Sequence, residues 1–78
     1  MTDQKASIGR IVLFKSQNLS DMGNGATEVP AIITRVWGDA MVNLLVFRDG
    51  TDPLTKTSVG REDAHPGSSY SWRWPPRV

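Results

Sequence analysis

The chain has 78 residues and no cysteine, and its nine Lys/Arg and eight Asp/Glu leave a net charge of +1. This length limits it to one domain with a thin core, since a chain so short buries only about 60% of the surface that it exposes when unfolded. The missing cysteines exclude disulfides and thiolate metal sites. The near-neutral charge argues against a duplex nucleic-acid partner, which requires a strongly basic face.

The first third of the chain is predicted to hold one strand and one long loop. Residues 1–6 are polar, so we expect a flexible N-terminus there and a single domain over residues 7–78. The stretch SIGRIVLFK, residues 7–15, is a short apolar run rich in β-branched side chains and predicts a strand. Residues 16–29 are rich in Gly, Asn and Ser and predict a loop. Loops of this length are often functional, and this one could bring backbone N–H groups close to an anion.

Four more short strands are predicted in the rest of the chain. They lie at residues 31–39, 40–50, 56–59 and 70–74. The Gly-Asp and Asp-Gly pairs that end the second and third strands are hairpin signals, and Pro75 ends the last strand. No stretch has convincing helical periodicity, although GREDAH, residues 60–65, has room for a single helical turn. The pattern predicts an all-β fold, a small SH3-like barrel or roll of about five antiparallel strands.

Two of the predicted strands are apolar on both faces. Residues 8–14 place apolar side chains at both odd and even positions, and in residues 41–47 only Asn43 is polar. An antiparallel sheet with one solvated face alternates apolar and polar residues, so the second face here needs a cover. The cover could be the Gly-rich loop in a monomer or another subunit in an oligomer. We expect a homo-oligomer, because an apolar patch of this kind usually marks an interface.

Several stretches together resemble one family of small proteins. They are residues 9–14, 30–37, 42–50 and 71–75. With its N-terminal G-R-I-V and its C-terminal W-x-W-P, the chain resembles small uncharacterised bacteriophage and prophage proteins, departing from them at Ser71, where Thr is usual, and at Arg73, where His is frequent. The resemblance implies a phage origin and an SH3-like β-barrel, and it implies no activity. Since the chain also lacks an apolar leader and a membrane-length apolar run, we expect it in the cytoplasm of the infected bacterium.

The residues that could do chemistry do not form a catalytic pattern. His65 is the only histidine, and the adjacent Glu62 and Asp63 would point in different directions in an extended loop. Ser68, Ser69 and Ser71 lack a nucleophile-elbow context, and neither glycine-rich stretch is a phosphate loop. We therefore expect no enzyme, no metal site and no cofactor, and we interpret His65 as a solvated loop residue.

The aromatic and arginine residues are the candidates for binding. Tyr70, Trp72 and Trp74 share one face of the last strand, where they either fill the core or form a stacking platform, and Trp72 should be more buried than Trp74. Arginines suit phosphates, and Arg10 and Arg35, which interrupt apolar runs, need a carboxylate or an anionic ligand as partner. The candidate ligand-binding residues are Arg10, Arg35, Trp37, Arg48, Tyr70, Arg73 and Trp74.

Two classes of function fit these features. The first is an oligomeric anti-defence sponge, a phage protein that sequesters a nucleotide-derived signal of host immunity without turning it over. The second is a virion or assembly component, for which apolar strands on both faces are equally suitable. Single-stranded nucleic-acid binding is a weaker alternative, because it requires a steep salt dependence that a net charge of +1 does not favour.

Overall fold

Five β-strands and one short 3-10 helix make up the fold in a computed structural model that describes residues 5–76. The strands are β1 (Ile11–Ser16), β2 (Val29–Val36), β3 (Met41–Val46), β4 (Leu54–Gly60) and β5 (Tyr70–Arg73), and the 3-10 helix is Leu19–Asp21. They form one antiparallel sheet in the order β4-β3-β2-β1-β5. The prediction of an all-β fold with five antiparallel strands is confirmed.

The sheet curls until its two edge strands approach each other. An isolated parallel bridge joins Arg61, directly after β4, to Trp72 in β5, and the Glu62 N–H donates to the Trp72 carbonyl at 2.8 Å. Shifts of register in the β2–β3 pair, between Ile33 and Arg35, and in the β3–β4 pair mark bulges, which bend and twist a sheet. The result is a curled half-barrel of the kind found in small SH3-like proteins.

The core lies on the concave face of this sheet. Its residues alternate along the strands, because successive side chains of a strand point to opposite faces. The buried hydrophobic residues are Val12, Phe14, Met22, Val29, Ala31, Ile33, Val42, Leu44, Val46, Val59 and Trp72. All of them except Met22 lie in a strand, so the barrel fills its interior from the sheet itself.

The convex face of the sheet is also apolar, as the two-faced pattern of the first and third strands predicted. We call this surface the outer face, and it consists of Ile11, Leu13, Pro30, Ile32, Leu45 and Phe47. Ile11 is 58% exposed and Phe47 is 38% exposed. Within the described chain, therefore, nothing covers this face fully.

The long loop, which in the structure is residues 17–28, covers part of the concave side instead. It contains the 3-10 helix. The Asn18 side chain caps the start of this helix by accepting a hydrogen bond from the Ser20 N–H at 3.2 Å. The loop also carries Met22 into the core, where the Met22 carbonyl accepts from the Asp49 N–H at 2.9 Å. The loop is thus not the cover of the outer face, which was one of the two expected arrangements.

The helical turn that the sequence allowed at residues 60–65 is absent from that stretch. Gly60 ends β4, and residues 61–65 form a hydrogen-bonded turn, in which the Ala64 and His65 N–H groups donate to the Arg61 carbonyl. The helical turn lies at Leu19–Asp21 instead, because Asn18 supplies a cap there. The expected flexible N-terminus lies mostly outside the described residues, and its last residue, Ala6, packs against the core.

Candidate functional site

A cleft of about 490 Å³ lies between the long loop and the β4–β5 loop (residues 61–69). Residues 25–27 and 65–69 form its walls, and the adjoining ends of β1 and β5 form its floor. Sites for small molecules occupy about 300–1,000 Å³, so the cleft has the volume of a small-molecule site.

The lining of the cleft is rich in hydrogen-bonding groups. Six hydroxyl-bearing residues contribute to it, namely Ser16, Thr27, Ser68, Ser69, Tyr70 and Ser71. Lys15 and His65 add nitrogen groups, and the Lys15 ammonium is paired with Glu62, which also lines the cleft. The Ser16 hydroxyl already donates to Asp21, but the hydroxyls of the other five residues can donate and accept, so the lining offers hydrogen-bonding groups beside an apolar surface.

A partly buried charged cluster supports the floor of the cleft. The Ser16 hydroxyl donates to the buried Asp21 carboxylate at 2.9 Å, and the Lys56 ammonium lies 3.1 Å from the same oxygen. Lys56 also lies 5.2 Å from the centre of the Tyr70 ring, which packs at a tilt of 36° to Phe14. These contacts hold the Ser16 and Tyr70 side chains in place before any ligand arrives.

His65 is more confined than the solvated histidine that the sequence predicted. Its side chain is partly buried, and it packs so closely over Gly60 that a Cβ on that glycine would lie 2.5 Å from His65 Cδ2. It belongs to the cleft wall as part of the β4–β5 loop. The loop position predicted for His65 agrees with the structure, and its partial burial results from the β4–β5 loop folding back over the end of β4.

Tyr70 is the member of the predicted binding set that lines the cleft. Trp74 lies at the opposite end of β5, where its ring meets Trp72 edge-on at 5.2 Å and the Arg10 guanidinium lies 5.0 Å from its centre. Trp72 is 1% exposed, whereas Trp74 is only partly buried. The predicted order of burial of the two indoles is confirmed.

Arg35 and Trp37 form a separate exposed pair beyond the bulge of β2. The Arg35 guanidinium lies 4.1 Å from the centre of the Trp37 ring, whose Nε1–H donates to the Asn43 side chain at 2.8 Å. Trp37 is 54% exposed. Arg35 therefore has an indole as its partner among the described residues and forms no ion pair with their carboxylates, whereas the alternative of an anionic ligand stays a prediction. An exposed guanidinium keeps its hydration and needs no buried counter-charge.

Arg48 and Arg73 already hold together parts of the fold. Arg48 donates to the Asp52 carbonyl at 2.7 Å and to the Ser20 carbonyl at 3.2 Å, so it links the β3–β4 turn to the long loop. Arg73 forms a two-pronged bond with Glu28, with N–O distances of 2.6 and 2.8 Å. The predicted set is thus divided among the cleft, the far end of β5, the Arg35–Trp37 pair and these structural contacts.

The Arg73–Glu28 pair predicts a pH-dependent part of the stability. The hydrogen bond from Arg73 lowers the pKa of Glu28 below its ordinary value of 4.5. The contribution of this pair to the free energy of unfolding is therefore fully present above pH 4.5. It is lost as the pH falls through the lowered pKa of Glu28. Because both side chains are partly exposed, we expect Glu28→Gln to cost less than about 1 kcal/mol near pH 7. The cost should vanish in strong acid.

Denaturant unfolding of both proteins between pH 7 and acid pH measures this difference. Asp52→Asn is the matched control, since Asp52 is an exposed carboxylate in a turn and the contact from Arg48 uses its backbone carbonyl. A cost of Glu28→Gln that stays the same at every pH would show that the pair contributes through packing alone.

No protein family, curated protein or solved structure that was compared with this chain matches it. Residues 5–76 contain no helix that is long and apolar enough to cross a membrane. The same residues contain no group of three or more His, Asp or Glu side chains placed to hold a metal ion.

Proposed function

We propose that this chain is a non-enzymatic binding protein that holds a small nucleotide-derived ligand in the cleft between its two loops. The observation that carries the proposal is the hydroxyl-rich lining of the 490 Å³ cleft, with Lys15 and the Tyr70 ring at its floor. Hydroxyl and ammonium groups are donors for phosphate oxygens, and an aromatic ring offers a surface for a base. The Lys15–Glu62 pair leaves the lining without an excess of negative charge to repel an anion.

The biological role that fits such a protein is an oligomeric anti-defence sponge. Sequestration needs a stable fold, a preformed site and many copies, and it needs no nucleophile or general base. The resemblance to small phage proteins supports this role by analogy, as does the small size of the chain. In this role the protein works in the cytoplasm of the infected bacterium and lowers the free concentration of a host immune signal.

Thermal unfolding with a panel of cyclic dinucleotides, cyclic oligonucleotides and linear mononucleotides tests the proposal. A ligand at a hundredfold excess over its Kd stabilises the folded state by about 2.7 kcal/mol. For a domain of this size that corresponds to a rise in Tm of roughly 10–20 °C. We expect Thr27→Trp, which places an indole in the cleft wall, to abolish the rise.

Thr51→Trp is the matched control for this experiment. Thr51 is an exposed threonine in a bend, as Thr27 is, but it lies outside the cleft. The control should keep the full rise in Tm. If no member of the panel raises the Tm of the unmodified protein, or if both tryptophan variants respond alike, the cleft is not the binding site.

The outer face favours a second candidate function, a virion or assembly component. Such a protein needs an apolar surface for its neighbours, and the outer face exposes Ile11 and Phe47. Co-sedimentation of the protein with phage particles, without a response to nucleotides, would support this candidate over the first. A salt-sensitive association with single-stranded oligonucleotides would point instead to nucleic-acid binding.

A further inference from the structure

We infer that the outer face is the surface through which two copies of this chain associate, sheet against sheet, into a symmetric dimer. The inference deepens the oligomeric part of the proposed function, and it does not require that the cleft binds any ligand. The molecule that covers the outer face is a second copy of the same chain.

The centre of the outer face is continuous and uncharged across three strands. Ile11 lies opposite Ile32, and Ile32 lies opposite Leu45, so these three side chains form one row across β1, β2 and β3. A second row runs from Leu13 to Pro30 and on to Phe47, whose N–H donates to the Pro30 carbonyl at 3.0 Å. Two adjacent apolar rows are the surface that one sheet of a β-sandwich presents to the other.

The charges next to these rows are compensated within the chain. Arg73, which pairs with Leu13 at the margin of the face, is bound to Glu28. Lys15, two residues along β1 from Leu13, is paired with Glu62. An identical face can approach such a surface without net repulsion between like charges. A partner chosen by charge would instead require uncompensated groups of one sign here.

The described chain measures 35 × 26 × 23 Å. A stable interface of standard size takes about 800 Å² from each partner, which is most of one broad side of a molecule with these dimensions. The two apolar rows would form the centre of such an interface, and the polar residues around them would form its rim. A small domain with a thin core also gains stability when a second copy buries the apolar surface that it leaves exposed.

The cleft lies at the margin of this interface. Along β1 the outward positions are Ile11, Leu13 and Lys15, which follow each other at about 7 Å because a strand rises about 3.3 Å per residue. Ser71, opposite Lys15, lines the cleft together with it. A second copy seated on the apolar rows would therefore stand beside the cleft of the first copy.

Sedimentation equilibrium of the ligand-free protein tests the inference. We expect the unmodified chain to show twice the mass of the 8.6 kDa monomer, and Ile11→Glu to show the monomer mass. Ile11 is 58% exposed in the monomer, so this variant should keep its fold, which circular dichroism would check. Leu19→Glu is the control for an added charge, because Leu19 is 72% exposed on the 3-10 helix and lines the cleft without belonging to the outer face, and it should leave the dimer intact.

A mixing experiment tests whether Ile11→Glu loses the dimer because two copies of the altered face repel each other. Ile11→Glu and Ile11→Lys should each be monomeric alone, and an equal mixture of them should recover dimer, since the two altered faces then carry opposite charges. Phe47→Glu repeats the test from a second strand if the first variant fails to fold. A monomeric unmodified chain at high concentration, a dimeric Ile11→Glu, or a mixture that stays monomeric would overturn the inference. None of these outcomes bears on the response to nucleotides.

Discussion

Replacement of Trp72 by alanine is expected to lower the free energy of unfolding by about 3–5 kcal/mol, the usual cost of removing a large aromatic side chain from a core. Trp72 is 1% exposed, and its Nε1–H donates to the Val59 carbonyl at 3.1 Å and to the Ala40 carbonyl at 3.3 Å. The substitution thus opens a cavity and also leaves two carbonyls without that donor. A chain of this length has roughly 4–12 kcal/mol in total, so much of the variant should be unfolded.

The two other tryptophans are controls for this result. Trp37→Ala removes an indole that is 54% exposed and should cost far less. Trp74→Ala removes a partly buried ring that stacks with Arg10 and meets Trp72 edge-on, and this variant should remain folded. Denaturant unfolding followed by circular dichroism measures all three. A Trp74→Ala variant as unstable as Trp72→Ala would show that both indoles of β5 are structural, and it would remove the main support for a stacking role of Trp74.

Gly23→Ala is expected to detach the long loop from the barrel. Gly23 has φ +78°, and a Cβ there would lie 2.9 Å from the Asp49 backbone nitrogen and closer still to the Asp49 carbonyl oxygen. The left-handed conformation costs a non-glycine residue about 1–3 kcal/mol, and the collision with rigid backbone adds to that cost. Relief of the collision must move the loop, which also moves Met22 out of the core.

Gly25→Ala is the matched control for this substitution. Gly25 lies in the same loop at φ +74°, but a Cβ there would have no neighbour within 4 Å. It therefore carries the conformational cost without the collision, and the difference in unfolding free energy between the two variants isolates the contact with Asp49. Hydrogen exchange of the Asp49 N–H, which bonds to the Met22 carbonyl, should accelerate in Gly23→Ala and not in Gly25→Ala. Equal destabilisation by both variants would mean that the loop is not held at this point.

The loop is central to the proposed site, because it forms one wall of the cleft and also contributes to the core. Its docking at Asp49 and the bond from Arg48 to the Ser20 carbonyl both tie it to the segment after β3. A wall anchored in this way gives a preformed site, which reduces the ordering cost of binding. The Gly23→Ala variant should consequently lose nucleotide binding if the proposed function is correct.

Part of the candidate site could be expected from the sequence. The length of the loop over residues 16–29 indicated function, and Tyr70 was in the predicted set. Lys15 was not in that set, and His65, Ser68 and Ser69 were considered only as catalytic residues and set aside. They line one cleft because two loops about forty residues apart are brought together at one end of β1 and β5. The density of hydroxyls in GSSYS was the signal for a role in binding.

The sequence by itself determined the all-β class, the number of strands and the apolar character of both faces. These properties depend on local rules, namely β-branched runs, turn residues and the period of two along a strand. Even so, β1 begins at Ile11 rather than at residue 7, because residues 8–9 form a turn in which Gly9 takes φ +93°.

Only the tertiary structure decided which charged and aromatic groups meet. Arg73 finds Glu28 at a separation of 45 residues, and the Trp72 indole finds the Ala40 carbonyl at a separation of 32. Arg35 could as well have met a carboxylate, and it stacks on Trp37 instead. Such pairings depend on strand order, register and loop docking, which result from the packing of the whole chain and are not encoded in the spacing of neighbouring residues. The alternation of a strand shows which residues share a face, whereas the fold decides what that face meets.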